Sequence, residues 1–305
     1  MAQSEGNLWA IVLAGGEGVR LRALVRGLYG EERPKQCAAL AGSRSLLRQT
    51  LDRTALLVPP RRTVVVTLAS HAGYLAAELP GLAEVTVLAQ PCDRGTAAAV
   101  LLAAHWIHAR DPRATVAVFP TDHVIVDEAV FMRDAADVAA YVRESPERLV
   151  LFAAAPTAPD PSYGWIERGE RVGWAGLAPV HRIRDFRENP TAEVARRLYT
   201  LGYLWNTFIF VAGLPGLIDA GRECIPLLHD RLMRLDVFAG THHESWAVRQ
   251  AYLFAPAADF SRAMLESSSI SLGVAQIANA TWFSLGTPER VARLPARMAA
   301  LRPSA

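Results

Sequence analysis

The sequence predicts an α/β fold, a mostly parallel sheet flanked by helices, and three observations carry that reading. Short, nearly all-apolar runs recur through the first half at Leu8–Ala14, Thr63–Leu68, Val85–Gln90 and Thr115–Phe119. Such runs suit strands whose two faces are both covered. Longer helical patterns lie between or after them, at Leu46–Leu57, Gly73–Leu79, Thr96–Ala109 and Ala129–Arg143. That alternation builds right-handed βαβ units. The first strand also breaks abruptly into Gly15-Gly16-Glu17-Gly18, and ligands of open α/β sheets bind at such carboxyl ends.

From Arg148 the rhythm changes. Leu149–Ala155 reads as a further core strand, followed by the proline-rich 156–161 segment and shorter strands at Gly164–Arg168, Pro179–Phe186 and Trp205–Val211. Helices are expected over Leu217–Leu235 and Glu244–Leu253. A closing helix over Pro288–Ala300 should break or kink at Pro295. No internal repeat or low-complexity linker divides the chain, so the second half reads as a lobe packed onto the first sheet.

Composition narrows the function classes. The 305 residues suffice for a large core, and 51% are hydrophobic, which excludes a disordered chain. With 32 basic and 30 acidic residues the net charge is +2, without the basic face of a nucleic-acid binder. Cys37, Cys92 and Cys224 form an odd, widely spaced set that reads as reduced thiols. No apolar run reaches the roughly 18 residues of a membrane span, and no signal peptide is evident. The expectation is a cytoplasmic protein.

The glycine turn carries the chemistry. Glycines let the main chain take positive φ and approach a ligand closely. Arg20 follows at once, and Arg33-Pro34-Lys35-Gln36 lies a little further on. A guanidinium fork and a mobile ammonium beside such a turn suit a polyphosphate. Two other phosphate motifs are excluded: Leu21 stands where a dinucleotide fingerprint needs its third glycine, and no Gly-Lys-Ser/Thr exists.

Six segments in order complete the pattern: Leu13 through Leu21, Arg33 through Gln36, Gln90 through Ala97, Phe119 through His123, Tyr163 through Glu167, and Trp205 through Phe210. Together they resemble the sugar-phosphate nucleotidyltransferases, most closely the mannose-1-phosphate guanylyltransferase branch. The resemblance implies a Rossmann-like, GT-A-like sheet with a smaller mixed α+β lobe. It divides one 1–305 domain into a nucleotide-binding core (1–155), a sugar-phosphate lobe (156–287) and a C-terminal helix (288–305). It also implies transfer of a nucleotidyl group from a nucleoside triphosphate, GTP first, to a sugar-1-phosphate, mannose-1-phosphate first, releasing pyrophosphate for polysaccharide precursors.

The same resemblance implies roles residue by residue. Arg20, Lys35 and Asp122 are the catalytic set, with Asp122 as ligand to Mg²⁺, a hard cation that pairs well with one carboxylate and substrate phosphates. Leu13, Ala14, Gly15, Gly16, Gly18, Gln90, Gly95 and Thr96 hold the nucleotide, with the Gln90 amide offered to a base edge. Tyr163, Gly164, Glu188 and Asn206 form the sugar pocket. The partners are then the two small substrates, with neither nucleic acid nor membrane, and a homo-oligomer is compatible with the reading.

Departures from the family pattern point to a second reading. Gly95 stands where guanylyltransferases of this group commonly carry Asn. Asn189 replaces a sugar-phosphate Lys, for which Arg184 or Arg187 is a substitute. Ser284 replaces a second metal-binding carboxylate, and Ser269-Ile270-Ser271 lacks an expected acid. The alternatives are a catalytically reduced paralogue that binds nucleotide and regulates a partner, and a transferase for a different phosphorylated acceptor.

Other polar residues read as structural. His123 is orienting, His105 and His108 belong to helix surface or packing, and His242-His243-Glu244 is a helix-start cluster. Cys92 lacks a His partner for nucleophilic work. Arg290, Arg293, Arg297 and Arg302 read as one solvated face.

Overall fold

A computed structural model describes residues 7–266, 271–295 and 298. The expected Ser269-Ile270 segment, Arg297, Arg302 and most of the closing helix beyond Pro295 lie outside the described residues.

The chain begins with β1 (Leu8–Ala14), a 3-10 turn at Val19–Leu21 and α1 (Arg22–Tyr29). A second 3-10 turn at Lys35–Cys37 precedes α2 (Leu46–Thr54), whose N-cap Ser45 accepts from the Arg48 amide at 3.1 Å. Then come β2 (Thr63–Leu68), α3 (Ala72–Glu78), β3 (Thr86–Gln90), α4 (Gly95–His108) and β4 (Thr115–Pro120). They are followed by β5 (His123–Val126), α5 (Glu128–Arg143) and β6 (Arg148–Ala154). The second half contributes β7 (Trp165–Ala175), β8 (Ala178–Arg187), α6 (Ala192–Thr200) and β9 (Leu204–Gly213). It closes with α7 (Leu214–Cys224), α8 (Pro226–Leu232), α9 (Glu244–Leu253), β10 (Ser271–Gln276), β11 (Thr281–Ser284) and α10 (Pro288–Ala292).

Nine strands form one sheet in the order β3-β2-β1-β4-β9-β6-β10-β8-β7. The β3-β2-β1-β4 half is parallel, as the alternating pattern requires. β9 then runs antiparallel between β4 and β6, so the second half is woven into the first sheet as well as packed on it. Every residue of α4 from Ala97 to Ile107 is buried, an apolar helix covered all round. Its Ala-rich surface lets it sit flush against the sheet within the largest apolar cluster.

Three differences from expectation have plain causes. The helix expected over Leu217–Leu235 is split at Ile225, because Pro226 lacks an amide donor and Ile225 leaves helical geometry at φ −138°, ψ 58°. The strand expected over Gly164–Arg168 runs on to Ala175 and turns back through Gly176 at φ +57°. Its outer length alternates Arg and Glu, which masks a strand but protects an exposed hairpin. Finally, β5 and β11 form a separate antiparallel ribbon, pairing His123 with Ser284 and Val124 with Phe283.

Candidate active site

The carboxyl ends of β1 and β4 open into a cavity of about 320 Å³. Arg20, Lys35 and Asp122 all line it, as do Leu13, Gly16 and Thr96. Lys35 is placed by two local devices. Buried Gln36 donates to the Ala14 carbonyl at 2.6 Å, pinning the 3-10 turn to the end of β1. Gly18, at φ +63°, leaves the passage for the Lys35 stem, because a Cβ there would lie 3.0 Å from Lys35 Cγ.

Lys35 Nζ donates to Asp122 Oδ2 at 2.6 Å. Burial alone would raise the Asp122 carboxyl. The Lys35 ammonium, with His123 nearby, outweighs that and holds it well below the usual carboxylate range. His123 is pushed down to about 4 by burial first, then by Arg53, Lys35 and Arg290, with Asp122 offsetting part. It is therefore neutral at pH 7, and its ring packs edge-on against Trp282 at 5.2 Å.

The β5–β11 ribbon sets Asp122 and Ser284 side by side. The Leu285 amide donates to the Asp122 carbonyl at 2.8 Å, and Ser284 lies opposite His123. For a Mg²⁺ ion Asp122 is the carboxylate beside Lys35 at the strand ends, Glu188 and Asp259 line the same cavity, and among the described residues no cluster of three or more His, Cys, Asp or Glu could hold a metal. One carboxylate plus substrate phosphates fits Mg²⁺, which keeps few protein ligands.

At the other end of the cavity lie Tyr163, Gly164, Glu188 and Asn206. The Asn206 amide donates to the Gly164 carbonyl at 2.8 Å, tying the two segments together. Glu188 Oε1 accepts from Asn189 at 3.0 Å, whereas Oε2 is buried without a hydrogen-bond partner among the described residues. Burial, then the neighbouring Asp259 carboxylate and Glu266, push the Glu188 carboxyl up to about 7. A Cβ on Gly164 would come 2.5 Å from Glu188 Oε2, so only glycine leaves that oxygen open.

Some expected nucleotide residues act behind the wall of this cavity. Gln90 is buried at the end of β3, and its Oε1 accepts from the Tyr252 hydroxyl at 2.9 Å. A Cβ on Gly15 would meet Gln90 Nε2 at 2.7 Å, so Gly15 admits that amide. Ala14 presents its carbonyl to Gln36 and Thr67. Gly95, at φ +82°, starts α4 against the Ala258 carbonyl, which any side chain would strike. Thr96 Oγ1 accepts from the Phe260 amide at 2.8 Å.

The expected substitutes for a sugar-phosphate lysine face elsewhere. Arg184 pairs with Glu167 at 3.2 Å and Arg187 with Asp185 at 2.9 Å, both exposed on the hairpin. Instead Arg290, read from sequence as part of a solvated face, lines the cavity with a side chain only 12% exposed. Thr287 caps α10 and Pro288 occupies its first turn, a start signal that sets Arg290 in that turn. Asp259, Ser261 and Ser162 also line the site and carried no sequence signal.

Gly16 of the glycine turn, the Lys35–Asp122 pair and the Gly164–Glu188–Asn206 cluster thus share one cavity at the strand ends of an α/β sheet. Residues 9–235 match the family model described as Nucleotidyl transferase, and the chain belongs to that family. It is similar to the mannose-1-phosphate guanylyltransferase of Salmonella montevideo, 34% identical over 206 residues, covering 66% of this chain and 42% of that protein. Against the xanthan biosynthesis protein XanB of Xanthomonas campestris pv. campestris (strain B100), identity is 33% over 223 residues, covering 72% and 45%. The chain thus spans less than half the length of these curated relatives. Among solved structures it resembles one described as a mannose-1-phosphate geranyltransferase from Thermus thermophilus. That match has TM-score 0.78 and 26% identity, covering 95% of this chain and 80% of that one. Among the described residues no helix is long and apolar enough to cross a membrane.

Proposed function

We propose that the chain transfers a nucleotidyl group from a nucleoside triphosphate to a sugar-1-phosphate, with GTP and mannose-1-phosphate as the first pair to test. The observation that carries the reading is the Lys35–Asp122 pair at 2.6 Å, in one cavity with Arg20 and the Gly164–Glu188–Asn206 pocket. A sugar-phosphate oxygen forms a bond to the α-phosphorus while the bond to the bridging oxygen breaks, and pyrophosphate carries off the charge. Such a reaction needs alignment and charge neutralisation more than proton transfer. Arg20 and Lys35 steady the phosphates, the glycine turn presents backbone N–H groups, and Glu188 accepts from sugar hydroxyls. Mg²⁺, held by Asp122 when bound, would add charge neutralisation on the phosphate oxygens. The named relatives support this choice of substrates. The test is pyrophosphate release from a panel of nucleoside triphosphates and hexose-1-phosphates; release only with a sugar phosphate present supports the reading, and none with any pair sinks it.

A second reading, a reduced paralogue that binds nucleotide and regulates a partner, draws on Ser284 beside Asp122. It expects ligand binding without turnover in the same panel.

A further inference from the structure

We propose that Arg290 is a phosphate-binding catalytic residue which, with Arg20, clamps the phosphoryl group of the acceptor. The proposal rests on the transferase reading above and names the cation at the acceptor end of that site.

The Arg290 guanidinium is built into place from three sides. Nη2 donates to Asp160 Oδ2 at 2.8 Å and to the Ser162 hydroxyl. Its plane lies over the Tyr163 ring with Cζ 3.8 Å from the centroid. Among the described residues Nη1 has only a long contact, 3.4 Å to Ser284 Oγ, which leaves that edge of the fork available. The same edge converges with Arg20. A Cβ placed on Gly286 would lie 3.4 Å from Arg290 Nη1 and 3.9 Å from Arg20 Nη2. Two guanidiniums thus reach one point, and glycine keeps that point clear.

Asp160 offsets the Arg290 charge from its far side, and an anion between the two guanidiniums would offset the repulsion that remains. The planar forks match phosphate oxygens, which they can bind bidentately. The two arginines come from different sides of the reaction. Arg20 belongs to the glycine turn, while Arg290 rests on Tyr163 of the sugar pocket. The group they share is therefore the phosphoryl at the junction of the two substrates, a sugar-1-phosphate monoester meeting the α-phosphate. Those two anions must approach to roughly 3–3.5 Å to react, and positive charge fixed there lowers the barrier. Asn189 brings no charge to the site, and Arg184 and Arg187 are engaged on the hairpin, so this role falls to Arg290.

The test uses the full chain with Arg290→Ala and Arg290→Lys, the latter keeping stem and charge should the alanine variant fail to fold. With GTP and mannose-1-phosphate, kcat/KM for the sugar phosphate is expected to fall about 100-fold or more in the alanine variant and about 10-fold in the lysine variant. Equilibrium binding of GTP alone should change less than about 3-fold, a split that a merely structural role would not give. Folded variants within about 3-fold of wild type in turnover overturn the proposal and leave the transferase reading standing. If the wild type shows no turnover, titration with mannose-1-phosphate, with mannose as control, decides. Phosphate-dependent binding weakened about 10-fold by Arg290→Lys upholds the clamp while the transferase reading fails; no phosphate-dependent binding overturns both.

Discussion

Replacing Glu188 by Gln removes a carboxyl that the fold holds protonated to unusually high pH. Its ordinary value of 4.5 rises to about 7, through burial first and then the Asp259 and Glu266 carboxylates. The unfolded chain releases this proton near 4.5, the folded chain near 7. Stability from the protonated form is therefore complete below about pH 4.5 and is lost as pH rises through 7. At about 1.4 kcal/mol per tenfold, the loss between pH 4.5 and 8 is on the order of 3 kcal/mol. Glutamine keeps an oxygen to accept from Asn189 and carries no charge at any pH. Urea denaturation of both proteins at pH 5 and pH 8 should then show near-equal stability at pH 5 and a more stable Glu188→Gln variant at pH 8. An equal difference at the two pH values would refute the assignment.

Other expected outcomes follow from the same geometry. Lys35→Met leaves the Asp122 carboxylate in a half-buried site without its ammonium; turnover should fall by about 100-fold or more, measured as pyrophosphate release, with folding retained by circular dichroism. Gly18→Ala forces a side chain into φ +63° and against the Lys35 stem, so it should cost about 1–2 kcal/mol by denaturant titration and also slow turnover. Ser284→Asp places a carboxylate beside Arg290 Nη1, 3.4 Å from the present hydroxyl. Steady-state kinetics should show reduced turnover as that acid captures the guanidinium, whereas a gain in turnover would favour the reduced-paralogue reading.

Much of this site could be read from local sequence because its devices are local. The β1 run, the glycine turn and the Lys35 segment lie within about one tenth of the chain, and the parallel half of the sheet follows from apolar runs alternating with helices. Asp122 was legible from its place just past a core strand. Arg290 was not, because its partner Asp160 is 130 residues away and the ribbon that aims it pairs two short strands. A periodic row of arginines near the C-terminus looks like solvated surface until that pairing is known. The partner of Gln90 was hidden for the same reason: its Oε1 accepts from the Tyr252 hydroxyl, 162 positions on, which no local pattern reveals. The β7–β8 hairpin was half hidden because its charged outer face carries no apolar run.

Pyrophosphate release from GTP with and without mannose-1-phosphate in Mg²⁺ tests most directly whether one cavity joins a nucleotide to a sugar phosphate. Release that requires the sugar phosphate, with the nucleotide sugar formed in equal amount, is the predicted result. No release with this pair or any other triphosphate and hexose-1-phosphate would contradict it.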